Sequence, residues 1–240
     1  GQVAAVILEP MNVRFPSEGY LQGVQRLTRA AGAVLIFDET ITGFRYARGG
    51  AQEVFGVTPD LCTLGKGIAN GFPLSAVAGR ADLMAYMEEV FFSFTMGGEA
   101  LSLAAACAAM DKLEREPVVE TMTARGKDLM AGAEALVEKH GLSSVLSLAG
   151  HPSWSFLVMA DQPNATAFEL KTLFLQEVFS RGVLTLGTHN MSFSHSAADV
   201  AEVLAAYDEV FPILGAALAD NDLHARLRCE PLKPLFKVRG

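Results

Sequence analysis

Val34-Leu-Ile-Phe-Asp-Glu-Thr-Ile-Thr-Gly-Phe-Arg45, followed by Asp60-Leu-Cys-Thr-Leu-Gly-Lys-Gly-Ile-Ala-Asn-Gly-Phe-Pro-Leu74, decides how this 240-residue chain is read. Val34–Phe37 is an apolar run of strand length that ends on Asp38, and Val3–Leu8 is another that ends before Glu9. Between them, Glu18–Ala31 carries Tyr20, Leu21, Val24 and Leu27 at helical spacing, and Gly32 follows where a C-terminal cap would sit. The pattern predicts a βαβ unit with a right-handed crossover, whose ligands gather at the carboxyl ends of the strands, where Glu9 and Asp38 fall. Leu74–Ala78 has the composition of a further fully buried parallel strand.

Lys66 lies in the second stretch, between Gly65 and Gly67. A single lysine is ordinarily a solvated surface charge, and an aspartate after an apolar strand is ordinarily a turn former. An amine and a carboxylate in a glycine-rich setting together match the needs of pyridoxal 5'-phosphate. The lysine holds the cofactor's aldehyde as an imine, and the acid keeps the pyridine nitrogen protonated so that the ring accepts electrons. Released by an amino donor, the same amine would move a proton between the substrate carbon and the C4′ carbon, a role that favours a buried site.

Half of the residues are apolar, enough for a sizeable core. A formal net charge of −8 argues against a nucleic-acid or anionic-membrane surface, while a local pocket can still take a phosphate. Cys62, Cys107 and Cys229 are far apart and odd in number, which fits a reducing, cytoplasmic compartment better than a disulfide scaffold. No metal-ligand spacing is present: His189 and His195 match no zinc pattern. Gly1–Leu8 lacks a signal peptide's positive flank and is too short to span a bilayer, so it reads as a strand.

Further along, Ala81–Met87 and Leu101–Leu113 read as helices, and Pro117 opens another. Beyond Leu142, strands Trp154–Met159 and Val183–Leu186 alternate with helices Ala167–Ser180 and Ala197–Leu218, which predicts a small α/β domain beginning near Gly141. Asn221–Gly240, with Pro231 and Pro234, has the look of a loosely held tail, and the single Trp154 is expected in the core.

The ordered motifs Val6-Ile-Leu-Glu-Pro10, Phe37-Asp-Glu-Thr-Ile-Thr-Gly-Phe-Arg45, Gly49-Gly-Ala-Gln-Glu53, Phe55-Gly-Val-Thr-Pro-Asp60, Gly65-Lys-Gly67 and Phe92-Ser-Phe-Thr-Met-Gly-Gly98 carry a resemblance. The chain resembles the later part of a class III aminotransferase, a fold type I PLP-dependent enzyme. The nearest subgroup is that of glutamate-1-semialdehyde 2,1-aminomutase and polysaccharide-pathway aminotransferases. Weaker similarity continues through Gly187–His195 to the last helix. The resemblance implies an α/β fold, with part of the large, mostly parallel-sheet PLP-binding domain at 1–140, a small C-terminal α/β domain at 141–220 and a tail at 221–240. It implies an internal aldimine on Lys66 and a pyridinium partner in Asp38. Thr40 lies beneath the ring, and Thr95 with Gly97 reaches the phosphate of a neighbouring subunit's cofactor, so that a homodimer shares its active sites. Gly97-Gly98 before a helix also suits an anion by itself, and apart from the resemblance Thr95 reads as an ordinary helix cap. The implied activity is transfer of an amino group between a small-molecule amino donor and an oxo or aldehyde acceptor.

Several positions depart from the family pattern. Thr40 replaces a frequent valine, Ile41 stands where some members bond the ring hydroxyl through glutamine, and Arg14 stands about where dual-substrate members carry a glutamate switch. An arginine there would favour a carboxylate or phosphate on the substrate, and a solvated loop arginine is the alternative. His189 and His195 fall where relatives contact substrate, and structural hydrogen bonding accounts for them equally. The family's earlier half would supply the remaining strands, the main phosphate loop and the stacking aromatic residue. This chain is accordingly expected to be a fragment or to work with a companion chain. An aminomutase, or a non-catalytic remnant that pairs with another chain, are the alternatives.

Overall fold

The computed structural model describes residues 1–91 and 93–233; Phe92 of the last motif and the tail residues from Pro234 onward lie outside the described residues. The chain forms two compact units, Gly1–Thr121 and Met122–Gly240.

In the first unit, strands β1 (Ala5–Leu8), β2 (Val34–Asp38) and β3 (Leu61–Leu64) are parallel neighbours, and β4 (Ala76–Gly79) adds antiparallel to β3. Helix α1 (Tyr20–Ala30) is the crossover from β1 to β2, and Gly32 at φ +66 terminates it in the left-handed conformation that glycine adopts without steric cost. Its inner face is set by Leu21, Val24 and Thr28, while Tyr20 and Leu27 face solvent. Thr28 is tolerated inside because its hydroxyl donates to Val24 O at 2.9 Å. Leu21, Leu35, Phe37 and Val57 form the core behind β2.

One strand expected from sequence needs correction here. The strand expected at Leu74–Ala78 starts later, runs antiparallel, and is mostly exposed. Its placement follows from contacts that apolar content does not encode. Asp60 accepts a hydrogen bond from Leu35 N at 2.8 Å and another from Arg80 at 2.9 Å, which ties the strand ends together. Gly79 passes so close to Asp60 O that a Cβ would stand 2.2 Å from it. Strand β3 itself was quoted only as part of the lysine stretch, its four residues being too short to announce a strand.

Helix α2 (Gly50–Phe55) joins β2 to β3, and beyond β4 come α3 (Ala81–Met84), α4 (Ala100–Arg115) and the long α5 (Val118–Lys139). Helix α5 straddles the division between the units. Its Ala133 and Val137 belong to the second unit's core, so the break falls before most of the helix, whereas the sequence reading sets it near Gly141.

The second unit builds an antiparallel sheet from β5 (Leu146–His151), β6 (Trp154–Met159) and β7 (Thr188–Asn190), with helices α6 (Ala167–Ser180), α7 (Ala197–Ala219) and the short α8 (Leu223–Arg226). Thr166 and Glu169 form a capping box on α6, as Ser196 and Asp199 do on α7. Leu170, Leu173, Phe174, Tyr207, Phe211 and Leu214 are fully buried in its core, and Trp154 is buried as expected. Val183–Leu186 is not a strand: Val183 N closes the end of α6 on Val178 O, Leu184 is 90% exposed, and bonding to β6 begins only at Gly187, which turns at φ +74. The start of the expected tail is anchored through buried Leu223 and the Leu232 amide, which donates to Thr172 Oγ1 at 2.9 Å.

Candidate active site

The register of β2 against β3 pairs Asp38 with Thr63, so the acid at the end of one strand stands beside the strand that leads into Lys66. Asp38 Oδ1 accepts from the Thr40 amide at 2.9 Å and from Thr63 Oγ1 at 3.0 Å. The Thr40 side chain holds the Asp38 carboxyl below its ordinary range. Partial burial opposes this, while the Thr40 amide, the Thr63 hydroxyl and the charge of Lys66 add to it. Asp38 is therefore an ionised, hydrogen-bonded carboxylate that feels Lys66.

Lys66 opens a short 3-10 turn, Lys66–Ile68, with φ +43. That left-handed backbone is unusual for a residue with a side chain and marks a position held by its surroundings. The amine is exposed in this chain, contrary to the buried site expected from sequence. Gly65, just before it, comes so near Thr40 that a Cβ would stand 3.1 Å from the Thr40 methyl carbon. Thr40 thus touches the lysine turn and serves the acid at the same time. Helix α4 lies against this turn.

Glu39 explains why a glycine is needed at position 50. Its carboxylate is buried, with 1% of the residue exposed, and accepts from Thr42 Oγ1, from the Ala51 amide at 2.9 Å and from the Gln52 amide at 2.8 Å. It caps α2 from a distance, because Gly49 offers no side chain for the purpose. Gly50 has φ +75, and a Cβ on it would stand 2.6 Å from the Glu39 carboxylate. The loop after Asp38 is fastened by this buried acid.

The remaining candidates are dispersed. Thr95 and Gly97 are exposed, and no hydrogen bond joins them to Asp38 or Lys66 among the described residues. The helix terminus they precede is capped by neither: Glu99 accepts from the Leu101 amide at 2.8 Å and the Ser102 amide at 2.7 Å. Arg14 is exposed. His189 is buried in the second unit, bonded to Ser155 Oγ at 2.9 Å and Tyr207 OH at 2.7 Å, which is a structural role. His195 Nδ1 accepts from the Ser192 amide at 3.2 Å. No group of three or more His, Cys, Asp or Glu suited to a metal occurs among the described residues, and none of their helices is long and apolar enough to cross a membrane. Thr63, quoted in the lysine stretch without a role, is the residue that sequence reasoning missed. Only the pairing of β2 with β3 reveals it.

An ionised acid, an amine within reach of its field and a glycine that leaves room beside the lysine turn are the donor set that suits a cationic pyridine ring with an aldehyde. Comparison with known proteins agrees. The family model Aminotransferase class-III matches residues 1–202. A curated glutamate-1-semialdehyde 2,1-aminomutase of Symbiobacterium thermophilum is 38% identical over 229 residues, covering 88% of this chain and 52% of that protein. The structure of the PLP internal aldimine form of the Sphingopyxis sp. MTA144 FumI protein is similar with a TM-score of 0.80 at 30% identity, over 94% of this chain and 54% of that one. An omega-transaminase from Sphaerobacter thermophilus is similar with a TM-score of 0.78 at 27% identity, over 88% of this chain and 52% of its own. The chain spans about half the length of the relatives it matches, 52% and 54% in these cases. With four-fifths of its residues inside the family match, the chain belongs to the class III aminotransferases.

Proposed function

We propose that the chain carries the lysine and the acid of a PLP-dependent aminotransferase, which moves an amino group from a small-molecule donor to an oxo or aldehyde acceptor. The supporting observation is the ionised Asp38 carboxylate held one strand away from the Lys66 turn, within the field of its amine. When bound, pyridoxal 5'-phosphate supplies an electron sink for the bond that breaks at the substrate carbon. Lys66 Nζ would hold its aldehyde carbon covalently and, once displaced by an amino donor, accept and return the proton at the substrate carbon. Asp38 would hold a proton on the ring nitrogen by charge, for which it must remain ionised. Thr40 is suited to lie against the ring by its methyl group. Thr95 and Gly97 are assigned to a phosphate across a subunit interface in a cytoplasmic homodimer with shared sites. Exposed apolar side chains beside them, Phe94 and Leu101, support such a contact. Glu99 sits on the same helix terminus as a competing negative charge.

Lys66→Ala tests the reading in the full chain. Mixed with pyridoxal 5'-phosphate, the parent should turn yellow and become irreversibly labelled by borohydride, and the variant should do neither. Equal labelling of both removes Lys66 from this role. The 38% identity to an aminomutase supports a second reading, in which the amino group returns to the same carbon skeleton. A labelled amine whose nitrogen stays in one skeleton favours the mutase, and one that passes to another molecule favours the transferase.

A further inference from the structure

The strand register gives Thr63 a task that an amine and an acid alone do not require. Asp38 Oδ1 accepts from the Thr40 amide at 2.9 Å and from Thr63 Oγ1 at 3.0 Å, and the Thr40 side chain acts on the same carboxylate. The Thr40 amide is two residues away on the same backbone, so it moves with Asp38. Thr63 belongs to the neighbouring strand and ties the carboxylate to the sheet. The torsion that rotates an aspartate carboxylate is broad and has little preference of its own, so donors determine which oxygen faces outward. Thr63 suits the task because its branched side chain has a restricted χ1 in a strand, which fixes the direction of its hydroxyl. The two threonine hydroxyls lie 3.5 Å apart, and the methyl group of Thr40 borders Gly65 just before Lys66.

Resting on the aminotransferase reading above, we propose that Thr63 is a positioning residue: it pins Asp38 through Oδ1 and so leaves Oδ2 as the acceptor for a protonated ring nitrogen. Valine at this position keeps the shape and removes the donor, whereas serine keeps the donor and loosens its direction. A threonine that merely satisfies a polar strand position would leave the behaviour of Asp38 unchanged when replaced by valine.

The experiment uses the full chain with ¹³C-labelled aspartate carboxyls, the Asp38 signal being identified by its loss in Asp38→Asn. Thr63→Val should raise the pH at which Asp38 titrates and weaken the binding of pyridoxal 5'-phosphate, measured by equilibrium dialysis, by about three- to tenfold, the worth of one hydrogen bond. Thr63→Ser should recover most of both, and circular dichroism should match the parent for both variants. An unchanged Asp38 titration in Thr63→Val overturns the proposal, as does a serine variant no better than the valine one. A parent chain that fails to bind pyridoxal 5'-phosphate instead overturns the functional reading and this proposal with it. Binding by the parent together with equal binding by Thr63→Val overturns the positioning role alone.

Discussion

In Met122–Gly240, three antiparallel strands and the long helices bury Leu170, Phe174, Tyr207 and Phe211 almost completely, and capping boxes fix the starts of α6 and α7. In Gly1–Thr121, the core behind the site is a small group around Leu35 and Phe37, and Val3, Ile7, Val77, Phe94, Leu101 and Leu103 remain exposed. The unit that bears the lysine is thus the one that leaves more large apolar side chains exposed. Its site geometry comes instead from strand register, the Glu39 cap, and backbone turns at Gly50 and Lys66. Hydrogen bonds and close backbone approach set positions locally, with little need of a deep core.

The contrast can be broken most forcefully at Phe174. Phe174→Ala should cost about 3–5 kcal/mol, seen as a lower urea midpoint. Amide exchange should rise across Met122–Gly240 more than across Gly1–Thr121; equal rises would mean that the units share one core. The next effect is set by pH. Burial pushes His189 down to about 4 from its ordinary 6.5. Above about pH 6.5 neither the folded nor the unfolded chain holds the proton, and the stability is fully present. As pH falls from 6.5 toward 4 only the unfolded chain takes the proton up, so stability is lost, and below 4 the loss levels off. The total is about 3 kcal/mol, and His189→Gln should flatten that part of the urea-midpoint profile whatever its stability at neutral pH. A parallel profile in both proteins would assign the slope to other groups. The smallest of the three effects lies in the first unit. Gly50→Ala should cost about 2 kcal/mol, because alanine resists the left-handed backbone and its Cβ displaces the Glu39 carboxylate. Wild-type stability in that variant, measured by thermal melting, would show that the cap can shift at little cost.

The parts legible in the sequence were those governed by local pattern. The apolar strand ending on Asp38, the crossover helix, β6, α6 and α7 all follow from periodicity and capping residues. The class III family follows from ordered glycine-rich motifs. What escaped depends on long-range pairing. Val183–Leu186 has a strand's composition but lies before the turn at Gly187, and Leu74–Ala78 looked buried although its strand joins the sheet edge. Thr63 drew no notice because its importance arises from standing opposite Asp38, 25 residues earlier in the chain. The exposure of Lys66 was likewise invisible, since burial belongs to the assembled surface rather than to the motif.

The left-handed backbone at Lys66 sets thermal robustness against reactivity at a single position. Glycine or asparagine would accept that conformation with roughly 1 kcal/mol less penalty than lysine. Anyone selecting variants of this protein only for heat tolerance would therefore be drawn toward erasing the amine, and a sturdier product would be chemically silent.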